Sequence, residues 1–271
     1  MGLVSVVVRT RDEEQHLHDM LEMLHDQTLP PSEVIIVNNY SSEAALASFE
    51  DRLKKSVEPL RKKKIVVRLV NFPDRDFSHP YSTNLGIFFA ENELVAITNA
   101  HALPISISWL DRGVRHFRDS RVACVTGYSY PFEKNSSLSR LSKYVYYFSE
   151  KIILRFNWTS TVSCIVRKSL WQNYPFDENL PQTIPEAKAY GCEDYDWSKE
   201  MAMRGFKIVV DPQFSVFHSH GSRFEEARRN IRNYVNQRTI QQTINKFKRP
   251  RKAFTRLGQS KELHDVRVVK L

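Results

Sequence analysis

The chain has 271 residues, of which 41% are apolar and 26% charged, so it can bury a core as one large domain or one domain with an extension. No apolar run approaches the roughly 20 residues that span a bilayer, and no secretory signal pattern opens the sequence, so we expect a cytoplasmic protein. Its three cysteines show no paired spacing, which predicts reduced, structural thiols at Cys124, Cys164 and Cys192.

The positive charge of the chain is concentrated in its tail. Residues 223–271 contain 14 Lys or Arg and 4 Asp or Glu, which gives this segment a net charge of +10. Because the whole chain has a net charge of +9, residues 1–222 have a net charge of −1. Apolar residues recur at helical spacing over 224–247, which predicts a basic amphipathic helix. Such a helix predicts peripheral contact with an anionic membrane surface, at the inner face of the plasma membrane, rather than binding to nucleic acid. Packing on the core and homodimer formation fit the same pattern.

Short apolar runs alternate with helix-like segments in the first half of the chain. The runs predict strands at 4–8, 34–37, 65–70 and 94–97, and a helix with Leu17, Leu21 and Leu24 on one face follows the first. Strands that alternate with helices imply parallel pairing, with ligands at the carboxyl ends of the strands. Further strands are predicted at 122–126, 207–210 and 214–218, and a helix at 193–204 that ends at Gly205.

Polar residues follow the first two strands directly. The first strand runs into Arg9-Thr10-Arg11-Asp12-Glu13, and the second ends in Asn38-Asn39-Tyr40-Ser41. Loops that leave parallel strands present N–H groups and short polar side chains to a diphosphate and its base, although ordinary turns have the same composition. The two segments resemble the start of the family 2 glycosyltransferases, which show Pro-Thr-Tyr-Asn-Glu and Asp-Asp-Gly-Ser there. The resemblance implies that Asn38 takes the position of the aspartate that contacts the base and that the other nucleotide-sugar contacts here are Arg9, Thr10, Arg11, Glu13 and Ser41.

The next two motifs depart from the family pattern. Thr83-Asn84-Leu85-Gly86 stands where the family has Arg-Asn-x-Gly, and Asn99-Ala100-His101 stands in place of the Asp-x-Asp metal motif. The second motif looks closest to a branch of rhamnosyl- and other bacterial surface-polysaccharide transferases that has Ser-Ala-His. By this resemblance Asn84, Asn99, Ala100 and His101 also contact the nucleotide sugar.

A leaving diphosphate gains negative charge as its bond to the sugar breaks, so a positive group has to lie against it. A His nitrogen and an Asn carbonyl can coordinate Mn2+, and less favourably Mg2+. His218 and His220 lie on one face if their segment is extended. We therefore predict a divalent cation, Mn2+ or Mg2+, with ligands among Asn99, His101, His218 and His220. Direct hydrogen bonding from these groups, or from Arg223, Arg228 and Arg229, is the alternative.

The segment Gly191-Cys192-Glu193-Asp194 begins the predicted helix at 193–204 and closely resembles the family's Glu-Asp motif. Inverting transfer needs a general base that removes the proton of the acceptor hydroxyl. By resemblance Asp194 is that base and Glu193 its positioning partner. We expect Asp194 to stay ionised, because the helix N-terminus favours an anion. Simple capping of the helix is the alternative.

Acceptor contacts are expected from the aromatic-rich stretch at 138–156 and from Trp158 and Trp197, because aromatic faces stack on sugar rings. The resemblance covers residues 3–225. It implies an α/β GT-A fold, a Rossmann-like, mixed and mainly parallel sheet flanked by helices, as a domain over 1–222 with a basic helical extension over 223–271.

The implied activity is inverting transfer from a nucleotide-diphosphate sugar to a hydroxyl of a glycan or lipid-linked saccharide, in surface polysaccharide biosynthesis. A non-catalytic nucleotide-sugar-binding homologue is one alternative, because Asn99 and His101 replace the acidic pair. A sugar-phosphate nucleotidyltransferase is another, and the Gly-rich phosphate loop expected of it after the first strand is absent.

Overall fold

The computed structural model describes residues 3–12, 16–130, 158–218, 235–247, 251–257, 263 and 265–271. The strands in these ranges are β1 (Val4–Thr10), β2 (Glu33–Tyr40), β3 (Val66–Pro73), β4 (Leu94–Asn99), β5 (Ala102–Pro104), β6 (Val122–Thr126), β7 (Ser129–Tyr130), β8 (Ser163–Arg167), β9 (Lys207–Val210), β10 (Val216–His218) and β11 (Arg267–Lys270). The helices are α1 (Leu17–His25), α2 (Glu43–Ser56), α3 (Glu58–Lys62), α4 (His79–Phe89), α5 (Trp109–Val114), α6 (Lys168–Asn173), α7 (Leu180–Thr183), α8 (Ala187–Tyr190), α9 (Glu193–Met203) and α10 (235–245).

Eight strands form the main sheet, in the order β11-β3-β2-β1-β4-β8-β6-β9, and β5, β10 and β7 form a small second sheet. The strands β1 to β4 are parallel, whereas β8 runs antiparallel to both of its neighbours. This confirms the predicted mixed and mainly parallel sheet. The aromatic-rich stretch at 138–156 lies outside the described residues.

Helices cover both faces of the sheet, which explains why the central strands are continuous apolar runs. Val6 and Ile36 face one core with α1, α2 and α5, whereas Val7 and Ile35 face a second core with α4, α6 and α9. Every residue of β1 is buried. Pairing on both sides and burial on both faces make β1 the rigid centre from which the loops at the carboxyl edge extend.

Short polar residues fix the helices that lead away from this edge. The hydroxyl of Ser42 accepts from the backbone N–H of Ala45 at the start of α2, and Ser78 does the same for Tyr81 at the start of α4. The helical segment after Ser42 is divided into α2 and α3, because Pro59 occupies the first turn of the second helix.

The tail differs from the predicted helical extension. Residues 235–245 are helical, and the buried side chains of Ile240 and Ile244 pack against Leu180, Ile184 and Tyr195. In its described part the helix therefore presents its apolar face to the core, and lipid contact stays a prediction. None of the helices within the described ranges has the length and apolar character needed to cross a bilayer.

Beyond the helix, the prediction of helical structure is wrong for β11, which pairs antiparallel with β3 in the main sheet. The β-branched residues Val268 and Val269 favour a strand, and β3 would otherwise be an open edge. The proposed division of the chain at 222/223 stays a prediction, since 219–234 lie outside the described residues. The three cysteines are buried and free, as predicted.

Candidate active site

The carboxyl ends of the four parallel strands meet at one edge of the sheet. Thr10, Asn38 and Asn71 are consecutive partners in the register across β1, β2 and β3, and Arg9 is paired with Asn99 of β4. Residues paired in the register lie on the same face of a sheet. The structure thus brings together the nucleotide contacts predicted from three separate segments.

A row of hydrogen-bonded polar side chains crosses this edge. The Nδ2 of Asn38 donates to Oδ1 of Asn71 over 3.1 Å, and the Nδ2 of Asn71 donates to Oε1 of Glu50 over 3.0 Å. Neither Oδ1 of Asn38 nor Oγ1 of Thr10 has a hydrogen-bond partner in the described part of the chain, although both are buried. Buried polar atoms usually have partners, so this pair is suited to contact a ligand.

The loops around the row are held together by a few polar contacts. Asp74 after β3 accepts from Nδ2 of Asn39 at 2.6 Å and from Nη2 of Arg11 at 2.8 Å. The Arg11 side chain is 60% exposed, so it remains accessible to an anion. The exposed Ser41 donates its backbone N–H to the Asp12 carboxylate at 3.1 Å. Glu13 lies outside the described residues.

His101 and His218 come together, as the sequence predicted. Their Nε2 atoms are 3.1 Å apart, and the rings stack with centroids 4.9 Å apart. The contact arises because β10 pairs antiparallel with β5, which places His218 opposite Ala102. Two ligands bound at about 2.1 Å to neighbouring corners of an octahedral cation lie roughly 3 Å apart, so the spacing suits one metal ion.

The pair is an incomplete ligand set by itself. No group of three or more His, Cys, Asp or Glu side chains that could hold a metal occurs among the residues that the structure describes. Asn99, at the end of β4, could add a carbonyl oxygen, and diphosphate oxygens or waters could complete the shell. His220, Arg223, Arg228 and Arg229 lie outside the described ranges. The residues present therefore fit a cation that is shared with a bound anion.

An unusual backbone precedes the candidate base. Gly191 has a φ of +72°, and Cys192, just before α9, has a φ of +84°. A Cβ atom at position 191 would lie 3.0 Å from Oε2 of Glu193, so glycine suits this turn for both conformation and space. After this turn, Glu193 and Asp194 are the first two residues of α9.

The Asp194 carboxylate accepts hydrogen bonds from the backbone N–H groups of Tyr195, at 2.7 Å, and of Thr161. Burial and the adjacent Glu193 nevertheless raise the pKa of Asp194 to about 7, from an ordinary value of 3.8. Burial also raises the pKa of Glu193. The expectation that the helix N-terminus would keep Asp194 fully ionised is therefore wrong at and below neutral pH, because burial and like charge outweigh the helix terminus.

Arg9 joins the end of β1 to this carboxylate. Its Nη1 donates to Oγ1 of Thr83 at 2.7 Å, and its Nη2 donates to the carbonyl oxygen of Thr161 at 2.9 Å. The guanidinium also lowers the pKa of both Glu193 and Asp194. Thr83 stands at the arginine position of the family motif, so in this chain an arginine from β1 reaches that place. Sequence reasoning placed Arg9 beside the nucleotide and did not foresee this link.

One predicted contact is contradicted by the structure, and two more predicted contact residues are hydrogen-bonded within the fold. Trp197 is completely buried, and its Nε1 donates to the carbonyl oxygen of Tyr174, so it cannot stack on an acceptor sugar. Asn84 is completely buried, and its side-chain amide is hydrogen-bonded to Phe176, Glu178 and Trp171. Ala100 is buried, and its N–H donates to the carbonyl oxygen of Arg9. Each of these residues holds the fold together behind the site.

Trp158 stays a candidate acceptor contact. It is half-buried beside Tyr195, with ring centroids 6.2 Å apart, at the margin of the cluster that contains Ile240. Its neighbour Thr159 donates its backbone N–H to Oγ of Ser198 on α9. An aromatic ring at the start of the helix that carries Asp194 is well placed to contact an acceptor.

Two arginines of the C-terminal segment form ion pairs with buried carboxylates beneath the site, and sequence reasoning missed both. Arg251 donates to the buried carboxylates of Asp177 and Asp196, the second of which lies on α9. Arg256 donates from Nε to Oε2 of Glu178 at 3.0 Å and lies over the ring of Tyr81. The only sequence signal for these ion pairs was the excess of positive charge in the tail, and such an excess does not distinguish a buried ion pair from a surface one.

Comparisons with known proteins agree with this fold. The sequence model of glycosyl transferase family 2 matches residues 5–172. No curated protein matches the sequence. Among solved structures, the mannosyltransferase PcManGT from Pyrobaculum calidifontis, in complex with GDP-Man and Mn2+, is similar with a TM-score of 0.65 at 19% identity, covering 92% of this chain and 66% of that chain.

Two further structures are similar. TarS 1–349 from S. aureus, in complex with UDP-GlcNAc, gives a TM-score of 0.56 at 16% identity and covers 88% of this chain and 65% of that chain. Glucosyl-3-phosphoglycerate synthase from Mycobacterium tuberculosis, in complex with Mn2+, UDP and phosphoglyceric acid, gives 0.57 at 13% identity and covers 88% and 78%.

This chain spans just under two thirds of the length of PcManGT and TarS 1–349. At these identities the likeness establishes the fold. The family model, in contrast, covers more than half of the sequence, including β1 to β4 and β8. The chain therefore belongs to glycosyl transferase family 2.

Proposed function

We propose that this chain is an inverting glycosyltransferase that moves a sugar from a nucleoside diphosphate to a hydroxyl of a saccharide or lipid-linked acceptor. One observation carries the proposal: Asp194, with a pKa near 7, is joined through Thr161 and Arg9 to the carboxyl edge of β1. A carboxylate whose pKa lies near the working pH is an efficient general base. Glu193 raises that pKa and is the positioning partner in this proposal.

In the proposed reaction the acceptor oxygen forms a bond to the anomeric carbon while the bond from that carbon to the diphosphate oxygen breaks. The hydroxyl proton passes to Asp194, and attack opposite the leaving group inverts the configuration. Trp158, which lies beside Tyr195 at the start of α9, contacts the acceptor sugar. Surface polysaccharide biosynthesis, and the branch with Ser-Ala-His, remain part of this proposal on the strength of the Asn99-Ala100-His101 motif.

The donor is proposed to lie along the carboxyl edge of the sheet. Thr10 and Asn38 offer buried oxygens without partners among the described residues to the base, while Arg11 and Ser41 lie exposed at the rim beside the diphosphate. Two similar structures contain GDP-Man and UDP-GlcNAc. Their ligands support a nucleotide-sugar donor for this chain without identifying it.

A divalent cation, Mn2+ or Mg2+, is proposed to be held by His101 and His218, with Asn99 beside them. Such a cation supplies positive charge where the leaving diphosphate accumulates negative charge. Nitrogen ligands favour Mn2+ over Mg2+, which prefers oxygen. Mn2+ in two similar structures supports the choice.

Replacing His101 or His218 with alanine should weaken Mn2+ binding by at least about tenfold, because each removes one of two nitrogens that lie 3.1 Å apart. Electron paramagnetic resonance titration of free Mn2+ in the presence of UDP measures the affinity without requiring turnover. His18→Ala, at a side chain that is 58% exposed, is the control and should bind Mn2+ as the wild type does. Unchanged Mn2+ affinity in both site variants would assign the pair to direct hydrogen bonding instead.

The proposed function is tested by thermal shift with UDP-, GDP- and dTDP-sugars, each with and without Mn2+. A true donor at 100 times its Kd should stabilise the folded state by about 2.7 kcal/mol. Release of nucleoside diphosphate from the stabilising donor then measures turnover. If no nucleotide sugar raises the melting temperature, the proposal is wrong.

A non-catalytic nucleotide-sugar-binding protein is the second candidate, favoured by the loss of both carboxylates at Asn99 and His101. It predicts a thermal shift with a nucleotide sugar and no turnover with any acceptor. The Glu193-Asp194 pair argues against it, because one buried and one half-buried carboxylate side by side at a helix terminus cost stability that a binding protein does not need.

A further inference from the structure

Two neighbouring buried oxygens at the carboxyl edge lack a hydrogen-bond partner among the described residues. They are Oγ1 of Thr10 and Oδ1 of Asn38, on side chains of residues that are 3% and 0% exposed. Both residues belong to one register pair, so their side chains lie on the same face of the sheet. Such atoms indicate a place where a bound molecule supplies the missing hydrogen bonds.

The orientation of the Asn38 amide is set by a chain of hydrogen bonds that starts at Glu50. An ionised carboxylate can only accept, so Asn71 has to turn its Nδ2 towards Glu50. The Oδ1 of Asn71 then faces Asn38 and can only accept, so Asn38 turns its own Nδ2 towards Asn71. The atom of the Asn38 amide that lacks a partner among the described residues is therefore the acceptor Oδ1.

This orientation matters because nucleobases differ in the groups along their Watson–Crick edge. Uracil, thymine and guanine present a ring N–H beside a carbonyl oxygen. Cytosine and adenine present an unprotonated ring nitrogen beside an amino group, which is the reverse pattern. An amide that is free to turn could pair with either, and the hydroxyl of Thr10 can donate or accept. An amide whose oxygen faces the ring nitrogen accepts from the ring N–H of uracil, thymine or guanine, whereas in cytosine or adenine it would face the lone pair of an unprotonated ring nitrogen.

We infer that the chain of side chains Glu50, Asn71 and Asn38 makes the site select nucleoside diphosphates of uracil, thymine or guanine over those of cytosine and adenine. The inference rests on the proposed function, because it assumes that the base of the donor meets Thr10 and Asn38. Glu50 and Asn71 act through Asn38 as positioning residues. Neither belongs to the motifs that identified the site.

Calorimetric titration with UDP and CDP, and with GDP and ADP, in the presence of Mn2+ tests this inference. Of the two pairs, UDP with CDP and GDP with ADP, the one that contains the tighter ligand gives the test. In that pair the wild type should bind the nucleotide with the ring N–H roughly 10- to 100-fold more tightly, because the other base turns a ring-nitrogen lone pair towards the buried Asn38 oxygen and leaves the ring-position hydrogen bond unmade. In Glu50→Gln this ratio should fall towards one, mainly through tighter binding of CDP or ADP. A glutamine amide can donate as well as accept, so Asn71 and Asn38 become free to turn.

Asp51→Asn is the matched control, since it removes one negative charge from the same helix at a side chain that is 81% exposed. It should leave the ratio unchanged. Equal affinity for UDP and CDP, or for GDP and ADP, in the wild type would overturn the inference alone, and so would an undiminished ratio in Glu50→Gln. If neither these nucleotides nor the nucleotide sugars bind, the proposed function fails and the inference fails with it.

Discussion

Asp194→Asn should lower the rate of sugar transfer by roughly 10²- to 10⁴-fold, the contribution typical of one general base. Asparagine keeps the shape of the side chain and can still accept from the backbone N–H of Thr161, but it cannot take up the acceptor proton. Nucleotide affinity should stay nearly unchanged, because the base acts on the acceptor. Release of nucleoside diphosphate measures the rate, and calorimetric titration with nucleoside diphosphate measures the affinity.

The pH dependence gives an independent check on the same side chain. With a pKa of about 7, Asp194 is mostly protonated at pH 5 and ionised at pH 8, so kcat/KM should rise with pH through neutrality. The folded state holds a proton that the unfolded chain releases between about pH 4 and 7, so stability falls as pH rises through this window. The melting temperature of Asp194→Asn should therefore rise relative to that of the wild type between pH 5 and pH 8, with the larger difference at pH 8.

Asp26→Asn is the control for both measurements, because its side chain is 65% exposed and distant in sequence from α9. Transfer, affinity and melting temperature should all match the wild type in that variant. Wild-type turnover in Asp194→Asn would place the general base at another residue.

Arg251→Met should lower the free energy of unfolding by about 3–5 kcal/mol, the usual cost of removing one partner from a buried ion pair. The variant leaves the carboxylates of Asp177 and Asp196, whose side chains are 6% and 3% exposed, without their cation. Burial raises the pKa of Asp196 to about 6 even with Arg251 beside it. The loss should therefore be larger at pH 8 than at pH 5, where Asp196 can be neutralised by a proton.

Urea unfolding at both pH values measures this effect. Lys252→Met is the matched control, because it removes an adjacent, exposed cation from the same segment and should cost little. If Arg251→Met and the wild type have equal free energies of unfolding at pH 8, the ion pair between Arg251 and Asp196 does not stabilise α9.

The central strands could be predicted from the sequence because burial on both faces requires continuous apolar runs. Val4 to Val8 and Val34 to Val37 are such runs, and the strands β1 and β2 contain them and continue by two or three residues into the polar segments that follow. The meeting of His101 with His218 was also foreseen, since both lie at predicted strand ends. Their Nε2 separation of 3.1 Å depends on the register of β5 and β10, which the sequence does not display.

The differences between the expectations and the structure have specific physical causes. Trp197 follows Asp194 by almost one helical turn, and the motif does not tell which side chains of that turn face the core. Asn84 belongs to a motif of nucleotide-binding segments, yet its neighbours in space are Phe176 and Trp171. The charge state of Asp194 was misjudged because a helix terminus contributes about 0.3–1 kcal/mol, less than one pKa unit, whereas burial is a property of the folded core.

The strand β11 has a consequence for the order of folding. Its Arg267 contacts Glu43, 224 residues away in sequence, so closing this loop is among the slower steps available to the chain. Until it closes, β3 presents an unsatisfied row of backbone groups to the solvent. The transient species most prone to self-association during refolding is therefore one in which the nucleotide edge is already built and its outermost strand is still uncovered.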